Sequence, residues 1–126
     1  MSQPVVIFID DSETALTSTR IATADLPIEV KQYLNAKEPL ELIVSGNLTA
    51  DLIISDLNMP EMNGLEFLAE LRKDDAGKKI PVLMLTTETK DELKQQGKAL
   101  GLTGWIVKPF NPAQLQMAIK RVLRLK

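Results

Sequence analysis

Val5-Val6-Ile7-Phe8-Ile9-Asp10-Asp11-Ser12 is an unbroken apolar run that stops at two carboxylates. A half-exposed strand would alternate apolar and polar residues. A run without alternation fits a strand covered on both faces, as in a parallel sheet between layers of helices. Residues 52–54, 80–85 and 105–107 have the same form, rich in Val, Ile and Leu. They are too short to be buried helices. A fifth run, residues 28–34, alternates in part and is expected at a half-exposed edge. Helices are expected between the runs, over about 12–24, 38–45, 64–73 and 90–100. Pro39 suits the first turn of the second, and Asn111-Pro112 opens a last helix as N-cap and N1. Phe67, Leu68 and Leu71 share one helix face, as do Leu115, Ile119 and Val122. The alternation of strand and helix predicts an α/β fold, a doubly wound sandwich around five parallel strands.

The 126 residues suffice for one domain with a real core, and no linker, repeat or low-complexity tract divides them. One domain over 1–126, without an output domain, is the expectation. Lys plus Arg number 15 against 17 Asp plus Glu, so no basic field invites nucleic acid. The chain has no Cys, which excludes disulfides, thiolate metal sites and thiol nucleophiles. It has no His either, so catalytic triads, imidazole ligands and phosphohistidine are excluded. Any chemistry falls to carboxylates, hydroxyls, lysines and backbone. No apolar stretch approaches the roughly 20 residues of a membrane helix, and no signal peptide is evident. The expected compartment is the cytoplasm.

Open α/β sheets bind ligands at the carboxyl ends of their strands. The first strand ends in Asp10-Asp11, the third in Ser55-Asp56, the fourth in Thr86-Thr87 and the fifth in Lys108-Pro109. Singly, each has an ordinary role. An Asp after a strand caps the next helix, a Thr closes a turn, and a Lys is usually solvated. Jointly, three carboxylates, a hydroxyl and an ammonium converge on one end of the sheet. Crowded carboxylates repel, so they shift their pKa or bind a cation, and hard oxygen donors select magnesium, or manganese in its place. A carboxylate can also serve as a nucleophile, and a neighbouring Lys and hydroxyl can stabilise phosphoryl oxygens. The set reads as a magnesium-dependent aspartyl-phosphate site.

Phe8-Ile9-Asp10-Asp11-Ser12, Ile54-Ser55-Asp56-Leu57-Asn58-Met59-Pro60, Leu85-Thr86-Thr87 and Val107-Lys108-Pro109-Phe110 together resemble the response regulator receiver domain, of the single-domain CheY-like type. The resemblance runs over essentially the whole chain. It implies a flavodoxin-like (βα)5 fold with strand order 2-1-3-4-5, an order that this family shares with flavodoxin. It implies that Asp56 is the phosphoacceptor. Asp11, Asp56 and the backbone carbonyl of Asn58 are then the magnesium ligands, with Asp10 acting through water. Thr86 and Lys108 are expected on the phosphoryl oxygens, and the Lys108–Pro109 bond is expected to be cis. Trp105 stands where the family has a switching aromatic, and Thr87, Asn58 and Glu88 are the neighbouring switch and tuning positions. The implied donor is a sensor histidine kinase or a histidine phosphotransfer protein. The implied target is a protein that docks on the helix 4–strand 5–helix 5 face, where Lys90, Lys94 and Lys98 form a basic stripe.

Two features depart from a well-formed pattern. Thr14, Thr17, Ser18, Thr19 and Thr23 give helix 1 weak propensity, so tertiary packing must hold it. Gly97 interrupts helix 4, where close packing is the favoured reason. The expected function is a stand-alone response regulator of a two-component phosphorelay, with a lean towards chemotaxis. It is expected to be a switch rather than a metabolic enzyme, a monomer with dimerisation open to it only when phosphorylated, and to bind neither nucleic acid nor membrane. The alternative is a receiver-like binding module that works without phosphorylation. An Asp-nucleophile phosphatase is disfavoured because Asn58 stands where such enzymes place a second acid. A nucleotide-binding protein is disfavoured because no Gly-rich loop follows the first strand.

Overall fold

The computed structural model describes residues 3–125. In chain order the elements are β1 (Val5–Ile9), α1 (Glu13–Ala22), β2 (Glu29–Tyr33), α2 (Lys37–Val44), β3 (Leu52–Ser55), α3 (Gly64–Lys73), β4 (Val82–Thr86), α4 (Asp91–Ala99), β5 (Gly104–Val107) and α5 (Pro112–Leu123). The strands form one sheet in the order β2-β1-β3-β4-β5, and every pairing is parallel. No described helix is long and apolar enough to cross a membrane.

The unbroken apolar runs have a direct cause, because each feeds two cores. Ile7 and Ile9 of β1, Ile53 of β3, and Val82 and Met84 of β4 enter a core completed by Ile43 of α2 and by Phe67, Leu68 and Leu71 of α3. Their neighbours Val6, Phe8, Leu52, Ile54, Leu83 and Leu85 enter the opposite core with Leu16 of α1 and Leu115 and Ile119 of α5. β2 is the edge, and its residues are exposed or half-buried.

The expected fourth strand, 80–85, is displaced by two residues at its start. Pro81 has no N–H for the ladder, though its carbonyl accepts the Ile53 N–H at 3.0 Å. Ile80 is buried as core filling ahead of the strand. β4 therefore begins at Val82 and continues to Thr86.

Packing compensates the weak propensity of α1. Leu16, Thr19 and Ala22 are buried, and Ser12 caps the helix by accepting the Ala15 N–H. The Thr hydroxyls turn back on the helix, Thr19 Oγ1 to the Leu16 carbonyl and Thr23 Oγ1 to the Thr19 carbonyl, both at 2.8 Å. Two amides clamp it from outside. Gln32 Nε2 donates to the Leu16 carbonyl at 2.6 Å, and Gln116 Nε2 to the Ala22 carbonyl at 2.7 Å.

Gly97 is the one buried residue of α4. A Cβ there would fall 2.8 Å from Leu102 Cδ2, so the glycine lets α4 lie against the following turn. Lys90 is the N-cap of α4 and makes no side-chain cap bond. Lys90 and Lys98 are exposed and Lys94 is half-buried.

Arg72, which the hydrophobic pattern does not single out, ties three segments together. Its guanidinium donates to the carbonyls of Leu100 (3.0 Å), Gly77 (2.9 Å), Ile80 (2.8 Å) and Gly101 (3.1 Å). Burial pushes its pKa below the ordinary value, and the four carbonyls accept its protons. Arg72→Met keeps the apolar stem and strands those carbonyls. It should cost about 2 kcal/mol, because each charged hydrogen bond nets roughly 1.5–3 kcal/mol and water can recover part of that. Urea unfolding measures the loss. An unchanged midpoint would show that the clamp contributes nothing.

Candidate functional site

The register of the sheet assembles the site. Ile9 lies opposite Ser55 in the β1–β3 ladder, so the next residues, Asp10 and Asp56, leave the sheet side by side. The Asp56 N–H donates to the Ile9 carbonyl at 2.9 Å, and the Asp10 N–H to the Tyr33 carbonyl at 3.1 Å. Two strands away, Thr86 lies opposite Val107 in the β4–β5 ladder, and the Lys108 N–H donates to the Thr86 carbonyl at 2.8 Å. Four sequence-distant strand ends thus face one another.

One carboxylate oxygen from each of Asp10, Asp11 and Asp56 lies within 4.8 Å of the other two. Asp10 is buried, Asp56 half-buried and Asp11 exposed. Asp10 Oδ1 accepts the Ser12 N–H at 3.0 Å, and Asp56 Oδ1 accepts the Leu57 N–H at 2.7 Å. The free oxygens face Lys108. Its Nζ is 2.6 Å from Asp10 Oδ2 and 3.6 Å from Asp56 Oδ2. The Lys108–Pro109 peptide bond is cis.

Three carboxylates against one ammonium leave an excess of two negative charges, which matches a divalent cation. All the donors are hard oxygens, which suits magnesium or manganese. The residues present therefore fit such an ion.

Thr86 is fully buried, and its Oγ1 accepts the Glu88 N–H at 3.3 Å. Trp105 is half-buried and donates from Nε1 to the Glu88 carbonyl at 2.9 Å. The Glu88 carboxylate turns away along the chain and accepts the Thr89 and Lys90 N–H groups, both at 3.2 Å. Asn58 and Thr87 are exposed. Neither side chain makes a hydrogen bond among the described residues.

Gly64, at the first turn of α3, belongs to the site although no motif marks it. Its N–H donates to the Leu57 carbonyl at 2.9 Å, and a Cβ there would fall 2.5 Å from the Asp56 carbonyl oxygen. Only a residue without a side chain lets α3 approach the Asp56 turn so closely. The α3 start itself is built by a capping box between Asn63 and Glu66. A groove of about 640 Å³ runs beside the site, lined by Ala15, Ile21 and Ala22 of α1 and by Lys108, Pro109 and Phe110.

Residues 6–120 match the family model of the response regulator receiver domain, and the chain belongs to that family. It is 36% identical to chemotaxis protein CheY1 of Helicobacter pylori, over 94% of this chain and 95% of that protein. It is also 31% identical to the sensor histidine kinase CheAY of Helicobacter pylori, over 99% of this chain. There it spans only 16% of the longer protein. Among solved structures, chemotaxis protein CheY4 of Vibrio cholerae superposes with a TM-score of 0.88 at 42% identity, over 97% of this chain and all of that one. Fold, family and CheY-like type agree with the expectations from sequence.

Proposed function

We propose that the protein is a phosphoryl-accepting switch of a two-component pathway, with Asp56 as acceptor. The observation that carries this reading is the held posture of Asp56. One of its oxygens is fixed by the Leu57 N–H, and the other faces the Lys108 ammonium. The fixed oxygen aims the carboxylate. The other is free to attack phosphorus.

In the transfer, the P–N bond of a donor phosphohistidine breaks and its electron pair stays on the donor imidazole. A bond forms between phosphorus and Asp56 Oδ2, giving an acyl phosphate. Lys108, shared between Asp10 and Asp56, would pair with the added phosphoryl oxygens, and the Thr86 hydroxyl would donate to one of them. Asp11, Asp56 and the Asn58 carbonyl are the groups that would hold magnesium, with Asp10 acting through water. When bound, the cation supplies charge compensation between the carboxylates and the incoming anionic phosphoryl group. The acyl phosphate then favours one conformer, and partners read the change. Asn58 and Thr87, exposed beside the site, tune its lifetime, while the Glu88 carboxylate is engaged by its own turn.

The donor is a histidine kinase or a histidine phosphotransfer protein. The groove beside Lys108 is the surface such a donor would cover in reaching Asp56. The target docks on the α4–β5–α5 face. There Asp91, Lys94, Lys98 and Trp105 line a second groove of about 370 Å³, whose lysines favour an acidic segment. The switch operates in the cytoplasm.

Intact mass after incubation with acetyl phosphate tests the reading. The expected result is a gain of one phosphoryl group that requires magnesium and disappears with a chelator. A folded, magnesium-binding protein that gains nothing from either acetyl phosphate or a phosphorylated histidine kinase would overturn it in favour of a module that binds without phosphorylation.

A further inference from the structure

All 17 Asp and Glu residues lie in residues 1–92, whereas residues 93–126 hold seven Lys and Arg and no acid. The end of the chain is therefore cationic throughout, in a protein whose net charge is −2. Part of that charge gathers at the end of α5. Lys120, Arg121 and Arg124, with Gln116 and Met117, line a groove of about 530 Å³. Leu115 and Ile119 turn the other side of the helix into the core. Lys120 is half-buried, and Arg121 and Arg124 are exposed. Among the described residues none of the three is in an ion pair.

Cations suit the C-terminus of any helix, because its last carbonyls carry partial negative charge. Charge alone would not mark a surface here. The apolar side chains do. Ile21, 71% exposed, and Met117, 57% exposed, are the two most exposed large hydrophobic residues among those described. They flank one seam between α1 and α5. Gln116 Nε2, next to Met117, donates to the carbonyl of Ala22, next to Ile21, at 2.7 Å. The same amide donates to Asp25 Oδ1 at 2.9 Å, so the acid beside the seam is already engaged. Two exposed apolar side chains with unpaired cations beside them have the composition of a docking surface.

The seam continues the groove that reaches Lys108, since Ile21 and Ala22 line that larger groove with Pro109 and Phe110. The 12 residues of α5 then carry the surface on from Pro112 to Leu123, about 18 Å at the usual helical rise. A segment lying along both grooves has one end near Asp56 and the other at Arg124. The cationic end shares no lining residue with the α4–β5 groove of Lys94, Lys98 and Trp105.

We propose that the α1–α5 seam docks an amphipathic acidic segment of the phosphoryl donor, with apolar side chains on Ile21 and Met117 and carboxylates on Lys120, Arg121 and Arg124. Naming the donor as occupant rests on Asp56 being the acceptor; the affinity of the seam for such a segment does not. The charges act on approach more than on hold. Exposed ion pairs each add little to affinity, but a cationic pole on an otherwise acidic molecule turns an acidic partner towards itself. Without that pole, the carboxylates of Asp10, Asp11 and Asp56 would repel the same partner.

The probe is a fluorescein-labelled peptide with glutamates on one helical face and leucines on the other, followed by fluorescence anisotropy against the full chain. Every form carries Lys94→Gln/Lys98→Gln, which removes the cations of the α4–β5 groove as a competing site. Circular dichroism checks that each is folded. Adding Lys120→Gln/Arg121→Gln/Arg124→Gln should weaken binding about fivefold, spread over three exposed pairs. Adding Ile21→Ser/Met117→Ser instead should weaken it by about the same factor. Raising NaCl from about 50 mM to about 300 mM should weaken the reference form and leave the triple α5 variant nearly unchanged. A reference form that does not bind, or seam variants that bind as well as it does, overturn the proposal. A second arm leaves Lys94 and Lys98 in place and follows intact mass, with either acetyl phosphate or a phosphorylated histidine kinase chosen because it phosphorylates the wild type. The triple α5 variant should gain mass from the kinase about fivefold more slowly than wild type, and from acetyl phosphate at the same rate. Equal rates from the kinase overturn the donor as occupant. A wild type that gains mass from neither acetyl phosphate nor any kinase overturns the acceptor reading instead, and the peptide arm still decides whether the seam takes an acidic segment.

Discussion

Asp56→Asn is expected to abolish phosphoryl uptake while leaving the fold intact. The amide is nearly isosteric, and its Oδ1 can still accept the Leu57 N–H that holds the side chain at 2.7 Å. What is lost is the second anionic oxygen, which faces Lys108 at 3.6 Å. An amide is too weak a nucleophile to displace a phosphoryl leaving group, so the mass gain should vanish completely rather than diminish. The cluster also loses one of its three carboxylates, and with it much of the attraction for a divalent cation. Removing one charge from a group that is in net excess relieves repulsion, so the unfolding midpoint should not fall. Intact mass and thermal unfolding on the same preparation check both halves. A persistent mass gain in a folded variant would place the acceptor elsewhere.

Gly64→Ala is expected to destabilise the protein by about 3 kcal/mol, the upper part of the usual overpacking range. Helix propensity alone predicts the opposite sign, since Ala is favoured over Gly by roughly 1 kcal/mol inside a helix. Sterics decide. The added Cβ would sit 2.5 Å from the Asp56 carbonyl oxygen, 2.9 Å from Met84 Sδ and 3.1 Å from Leu57 Cα. Two of those three atoms are backbone and cannot rotate away. Relief requires α3 or the Asp56 turn to shift, so stability and the aim of the acceptor should suffer together. Urea unfolding and magnesium titration should both show the loss. Gly97 is the useful contrast, because a Cβ there meets the tip of the Leu102 side chain, which can turn aside. A Gly64→Ala protein as stable as wild type would mean that the α3–Asp56 approach relaxes without cost.

Much of this was legible in the chain. The continuous runs around Ile7, Ile53 and Leu83 announce strands with two covered faces, because neighbours on a strand point to opposite sides. Asp10, Asp11, Asp56 and Lys108 follow strands, and parallel strands deliver their carboxyl ends to one side. Their convergence therefore follows from local pattern plus one rule of topology. The 3.6-residue spacing of Leu115, Ile119 and Val122 and the Asn111-Pro112 start are likewise local, and α5 begins at Pro112 as they indicate.

Other features depended on atoms far apart in sequence. Nothing near Arg72 foretells that its guanidinium meets the carbonyls of Leu100 and Gly101 across the α3–α4 boundary. Gly64 reads as a plain helix start until the Asp56 carbonyl is brought against it. Glu88 is marked as a tuning position by resemblance alone, and that its carbonyl accepts the Trp105 indole N–H emerges only once its turn closes against β5. Composition and periodicity record what a segment buries, and so they determine strands, helices and the end of the sheet where charges gather. Which carbonyl a guanidinium reaches, and which hydrogen a glycine must keep, is set by ångström-scale approach between separate elements. That approach exists only once the two cores have packed.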